Sequence, residues 1–223
     1  LLAPRKIPVI APSMGHGPQN ARSICTGADV KYCDRANMHS YPGGGPPING
    51  LMENMQRNAW VVTDPTRKIW ATETGYHTAT RQYPVREQLG VDEATQGKYT
   101  PRLLLLYFAW GVERTFLYEL LDQSPDTNRS NPESDYGLVR NDFTWKPAAT
   151  AIKSLLGLLG EPGQEAFKPA PLAATFAAPL PALFNYTVLG KSSGIYFVAV
   201  WLEAESYDVQ TQTPIAVAPQ KVT

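Results

Sequence analysis

Glu73 is the residue of this 223-residue chain whose setting most invites chemistry. It closes the apolar run Ile69-Trp70-Ala71-Thr72 just before Thr74-Gly75-Tyr76-His77, so a carboxylate falls where a strand gives way to a loop. A group there is held by the strand yet open to a ligand, although the same place also suits an ordinary solvated glutamate. A second polar set, His39-Ser40-Tyr41, follows Ala36-Asn37-Met38 and leads into Pro42-Gly43-Gly44-Gly45-Pro46-Pro47. Glycine and proline forbid continuation of either regular structure, which leaves a loop long enough to form part of a site wall. A third set, Tyr118-Glu119, lies near the end of the apolar stretch Thr115–Leu120.

Other chemistries fit poorly. The chain has no Gly-x-Ser-x-Gly elbow, no phosphate-cradling glycine loop between a strand and a helix, and no zinc-type cysteine spacing. The three consecutive glycines are hemmed in by prolines and read as a rigid turn. His16, His39 and His77 stand at unrelated spacings, so neither a metal nor a cofactor is expected. Cys25 and Cys33 are either a local disulfide or two buried thiols.

Twenty basic residues balance twenty acidic ones, which removes the field that would gather nucleic acid or anionic lipid. A neutral partner such as a carbohydrate suits the balance better, and five Trp and eleven Tyr offer faces for stacking on sugar rings. The longest apolar run, Leu103–Trp110, falls well short of the roughly 18 residues of a membrane span. No transmembrane helix is expected.

The elements that must position these groups read as an alternation. Strands are expected at Ile7–Ile10, Ala36–His39, Lys68–Thr72 and Thr115–Leu120. Helical spacing occupies residues 48–61 and 92–110, the latter with Asp92 as N-cap, Gly111 as stop and a kink at Pro101. Pro147 can start a last helix whose apolar face is Ala148, Ile152, Leu155, Leu156 and Leu159. Strands alternating with helices predict an α/β fold with a parallel sheet. From residue 161 the chain turns rich in Pro and Ala, and a β-hairpin follows at Leu183–Leu189 and Ile195–Leu202, with Thr213–Val217 as a further strand. The expected division is 1–162, a linker at 163–182, and a partial β-sandwich at 183–223.

Taken in order, Asp34-Arg35-Ala36-Asn37-Met38-His39-Ser40-Tyr41, then Ile69-Trp70-Ala71-Thr72-Glu73-Thr74-Gly75, then Tyr118-Glu119-Leu120-Leu121-Asp122 resemble strands six, seven and eight of clan A glycoside hydrolases. Tyr136-Gly137-Leu138-Val139-Arg140-Asn141-Asp142 and Trp145-Lys146-Pro147 look like the stretch between the last strand and the last helix of those enzymes, and Ile7 to Ser13 is similar to strand five. The resemblance covers about residues 5–160. The segment beyond looks like the sandwich that accompanies some of these barrels, including family 39.

The resemblance implies strands five to eight of a (β/α)8 TIM barrel, an incomplete barrel, followed by a small all-β segment. It implies a retaining β-glycosidase or glycanase fragment that hydrolyses O-glycosidic bonds by double displacement, with Glu73 as nucleophile. His39 and Tyr41 are then expected to face the same cavity, with Tyr118 and Glu119 as substrate contacts. The family's acid/base glutamate stands after an Asn at the end of strand four, and no Asn-Glu pair occurs in this sequence. The isolated chain is therefore expected to be incomplete and inactive on ordinary glycosides. The alternative is a noncatalytic carbohydrate-binding or scaffold protein derived from such a barrel. Exposed barrel edges would favour a homodimer. An extracellular location is expected, and Asn128-Arg129-Ser130 and Asn185-Tyr186-Thr187 fit the N-glycosylation pattern.

Overall fold

Three short segments of this chain pair in parallel, and a helix lies in each connection between them, as parallel neighbours commonly require. The computed structural model describes residues 7–13, 33–59, 68–81, 88–161, 167–168 and 170–222. Within them β1 (Ala36–His39), β2 (Ile69–Thr74) and β3 (Val112–Leu117) form one sheet in that order, both pairings parallel. Helix α1 (Leu51–Ala59) lies in the first connection and α2 (Glu93–Ala109) in the second, and α3 (Pro147–Leu159) follows the sheet. The architecture is α/β.

Helix α2 shows how the sequence builds this layer. Asp92 caps it, its side chain accepting from Thr95 N at 2.7 Å. Gln96, Tyr99, Thr100, Leu103, Leu106 and Tyr107 recur at helical spacing, and all are buried. Gly111, at φ 82°, takes the left-handed turn that stops the helix and releases the chain into β3. The helix runs through Pro101 as one element. Its inner face meets Met38, Ala71 and Val112 from the strands and Leu51 from α1 in one apolar cluster.

The β segment shares that cluster. Strands β4 (Phe184–Gly190) and β5 (Tyr196–Leu202) form an antiparallel hairpin, with Gly194 at φ 80° in its turn. Strands β6 (Tyr207–Asp208) and β7 (Thr213–Pro214) pair beyond it. Tyr207 is buried in the core, and Trp201 and Val209 pack against it.

Several boundaries depart from the sequence reading. Ile7–Ile10 forms no strand; Ile10 alone makes an isolated bridge to Arg35. The third sheet strand is Val112–Leu117 and not 115–120, because Glu113 and Arg114, too polar to signal a strand, lie exposed on it. The expected apolar face of α3 is only partly covered: Ala148 is buried, but Leu156 is 58% exposed. The last strand is shorter than 213–217. His16, Cys25, Trp60 and Val61 lie outside the described residues, and with Cys25 goes the question of its pairing with Cys33. No described helix is long and apolar enough to cross a membrane.

Candidate functional site

A slip in sheet register sets the first pair of side chains. Asn37 stands opposite Trp70 and Met38 opposite Ala71, but His39 stands opposite Glu73, so β2 carries one extra residue there. A bulge of this kind re-aims side chains at a strand end. Thr72 and Glu73 both meet His39 as a result. Its Nδ1 lies 2.6 Å from Glu73 Oε2, and its Nε2 lies 3.0 Å from Thr72 Oγ1. The Thr72 hydroxyl donates to Asn37 Oδ1 at 2.7 Å, which leaves its oxygen to accept from the ring. Both ring nitrogens are thus engaged, and the imidazole has a fixed orientation against the carboxylate.

Gly75 sets the second approach. A Cβ at this position would sit 2.1 Å from the carbonyl oxygen of Tyr118, so only glycine lets the chain after β3 come this close. Tyr118 N donates to Thr74 O at 2.7 Å and anchors the contact. Tyr118 is thereby carried to the carboxyl end of β2.

Tyr41 and Tyr136 complete the wall. The Tyr41 hydroxyl hydrogen-bonds to Glu73, and burial, then that bond, push the phenol far above its ordinary range, so it remains a donor. Tyr136 packs edge-on against Tyr41 at 5.6 Å between centroids, Tyr118 at 5.2 Å and His77 at 5.0 Å. It donates to Gln88 Oε1 at 2.7 Å. Together Tyr41, Glu73, Gln88, Tyr118, Pro132, Glu133 and Tyr136 line an open cleft of about 410 Å³. Aromatic walls with a few fixed polar groups suit a polyhydroxylated ligand.

The five site residues expected from sequence are not equivalent here. Glu73, Tyr41 and Tyr118 line the cleft, and His39 contacts Glu73 from beside it. Glu119 is not among the lining residues: its Oε2 accepts from Gln123 at 3.3 Å, its Oε1 is buried without a partner, and burial raises its carboxyl. Sequence reasoning missed Gln88, Glu133 and Tyr136 as members of the site. Tyr136 lay inside a stretch already singled out, but its packing against three rings has no signature in spacing.

His77 and Lys146 support this site from inside. His77 places Nε2 3.1 Å from Gln88 O, while its Nδ1 is buried without a partner, and burial holds the ring down to about 4. It acts as a neutral wedge beneath Tyr136. Lys146, 1% exposed, donates to Asp122 Oδ1 at 2.8 Å, Asp135 O at 3.1 Å and Thr78 Oγ1 at 3.2 Å. Asp135 Oδ2 has no partner, and burial pushes that carboxyl up to about 6. Among the described residues, no three His, Cys, Asp or Glu side chains are grouped to hold a metal.

Among solved structures, the chain resembles a family 39 glycoside hydrolase from Bacteroides cellulosilyticus, at 20% identity and a TM-score of 0.55, over 85% of this chain and 38% of that one. It is also similar to a family 17 β-1,3-glucanosyltransferase from Rhizomucor miehei, at 18% identity and 0.49 over 66% and 51% of the two chains. A family 2 β-galacturonidase from Eisenbergiella tayi matches at 18% and 0.46, over 62% and 26%. The chain therefore spans about half or less of the length of these structures. Neither a protein-family model nor a curated protein matches the sequence. The likeness to the family 39 structure shows a glycosidase-like α/β fold.

Proposed function

We propose that this chain carries half of the active site of a retaining clan A glycoside hydrolase, with Glu73 as the nucleophile. The observation that carries the reading is the position of Glu73: the carboxyl end of a parallel strand, in an aromatic cleft, contacted by His39 and by the Tyr41 hydroxyl. Barrel enzymes place their reacting groups at that end of their strands. In this reading residues 1–162 belong to the catalytic unit and 183–223 to an accompanying β-sandwich.

The reaction would run in two displacements. A Glu73 carboxylate oxygen attacks the anomeric carbon, a covalent glycosyl ester forms, and the bond to the leaving oxygen breaks. Water then attacks the same carbon and gives up a proton to solvent, the ester bond breaks, and Glu73 returns as a carboxylate. His39 and Tyr41 orient the carboxylate, while Tyr118 and Tyr136 offer ring faces to the sugar. The leaving oxygen of an ordinary glycoside needs a proton from a second carboxyl group, and no Asn-Glu pair in the sequence answers to that role.

The test uses leaving groups that depart without acid. Dinitrophenyl β-glycosides of glucose, xylose, mannose and galactose are given to the chain, and the first-formed sugar is read by proton NMR. The expected result is slow release with the β anomer formed first, abolished in Glu73→Gln. Release of the α anomer would contradict retention. Sugar binding without release in any configuration would favour the noncatalytic carbohydrate-binding reading.

A further inference from the structure

Glu73 shares its cleft with a second carboxylate. Glu133 sits on the short turn Pro132–Ser134 and lines the same cavity. Its place is built. Asp126 accepts from the backbone N–H groups of Asn128 at 3.1 Å and of Ser130 and Asn131 at 2.7 Å, which fixes the loop leading to the turn. Asn131 Oδ1 then accepts from Glu133 N at 3.2 Å. The Tyr118 hydroxyl donates to Glu133 Oε2 at 3.2 Å and accepts from Gln123 Nε2 at 2.8 Å. The tyrosine at the end of the sheet is thus tied to the carboxylate across the cleft wall.

The two carboxylates bracket the cleft. The phenol of Tyr136 is raised by burial first, and then by the charges of Glu133 and of Glu73. We infer that Glu133 is a second substrate-contacting residue, which accepts hydrogen bonds from sugar hydroxyls, and that Glu133 and Glu73 together restrict this site to uncharged sugars. The inference rests on the reading of the cleft as a glycoside site. A carboxylate offers two oxygens to neighbouring hydroxyl groups, and hydrogen bonds to a charged acceptor are the stronger kind. A sugar bearing its own carboxylate would bring a third negative charge into a space of about 410 Å³ that already holds two. Carboxylates lining one cleft disfavour a ligand of the same sign and so discriminate against it.

The test is calorimetric binding of isofagomine and of its carboxylated, uronic analogue, in gluco and galacto configurations, to the chain and to Glu133→Gln. Each pair carries the same amine, so their ratio reports the carboxylate alone. The parent should bind the probe without a carboxylate at least about tenfold more tightly. In Glu133→Gln the probe without a carboxylate should weaken and the ratio should shrink to about threefold or less. The substitution is isosteric and on an exposed turn, so an unchanged thermal melt is expected and checks folding. Binding of the uronic probe equal to or tighter than that of its parent isofagomine would overturn the selectivity while leaving a sugar site at Glu73. An unchanged ratio in the variant would overturn the part given to Glu133. Binding of neither probe by the folded chain would overturn the inference and the glycoside reading together.

Discussion

Among the carboxylates that meet a basic side chain at hydrogen-bond distance, Asp122 and Glu73 have sharply different surroundings. Asp122 and Lys146 lie 2.8 Å apart with side chains 8% and 1% exposed, behind the sheet end. Glu73 and His39 lie 2.6 Å apart with side chains 32% and 42% exposed, at the cleft. The buried pair has every reason to stay fixed: Asp122 also accepts from Gly137 N at 2.8 Å, and Lys146 spends its remaining protons on Thr78 and Asp135. The exposed pair keeps access to a ligand. Similar chemistry therefore serves architecture in one place and is available for reaction in the other, and burial distinguishes them.

Lys146→Met gives the largest expected effect. It removes the cation and leaves Asp122 buried and unpaired, which should cost about 3–5 kcal/mol in chemical denaturation. A loss below about 1 kcal/mol would place the buried pair with ordinary surface pairs and break the contrast.

The second prediction concerns pH. Asp135, pushed up to about 6 from 3.8, favours folding fully below the lower value and loses that contribution as pH rises to the upper one. His77, held down to about 4 from 6.5, favours folding fully above 6.5 and loses its contribution as pH falls toward 4. The two slopes oppose each other. Asp135→Asn removes one of them, so between pH 4 and 6.5 the variant should gain up to about 3 kcal/mol relative to the parent as pH rises. Parallel stability curves for the two proteins would show that Asp135 ionises normally.

Glu203→Ala tests whether the β segment holds the loop that follows Tyr41. Glu203, 3% exposed, accepts from Ile48 N at 3.0 Å and Trp201 Nε1 at 2.6 Å, and it faces Arg102 at 3.4 Å. Its removal should cost about 2 kcal/mol, since buried donors lose their acceptor. Hydrogen exchange at residues 44–50 should speed up before exchange in α2 does. Uniform acceleration throughout the chain would mean that Glu203 stabilises the molecule without a particular hold on that loop.

The smallest stability effect belongs to Glu73→Gln. Its partner is half-exposed, so the melt should move by less than about 0.5 kcal/mol. A loss comparable to that of Lys146→Met would make Glu73 a structural residue.

Much of this contrast could not be read from the sequence. The alternation of strands and helices was legible because β1 and β2 are short, largely buried runs, and α2 is bounded by Asp92 and Gly111. The start of β3 was hidden by Glu113 and Arg114, whose charges are satisfied at the surface by Arg35 and by stacking of Arg114 over Trp70. Ile7–Ile10 looked like a strand because its residues are apolar, yet it makes only a single isolated bridge, at Ile10, with Val9 hydrogen-bonded to Asp34 and Arg35 beside it. At the site, Glu73 and Tyr41 stood out from their places beside strands. Gln88 and Glu133 did not, because they come from connecting segments whose path is set by tertiary contacts such as the glycine approach at Gly75. The choice between Tyr118 and Glu119 turned on side-chain direction, which spacing alone leaves open.

The most direct test of the central claim is covalent. The chain is incubated with activated 2-fluoro glycosides of glucose, xylose, mannose and galactose, whose leaving groups depart without an acid and whose fluorine slows the second displacement. Intact mass and peptide mapping then locate any adduct. The account predicts one added fluorosugar, on Glu73, absent in Glu73→Gln. An adduct on another carboxylate, or none from any sugar on a chain shown to be folded, would contradict the assignment of Glu73 as the nucleophile.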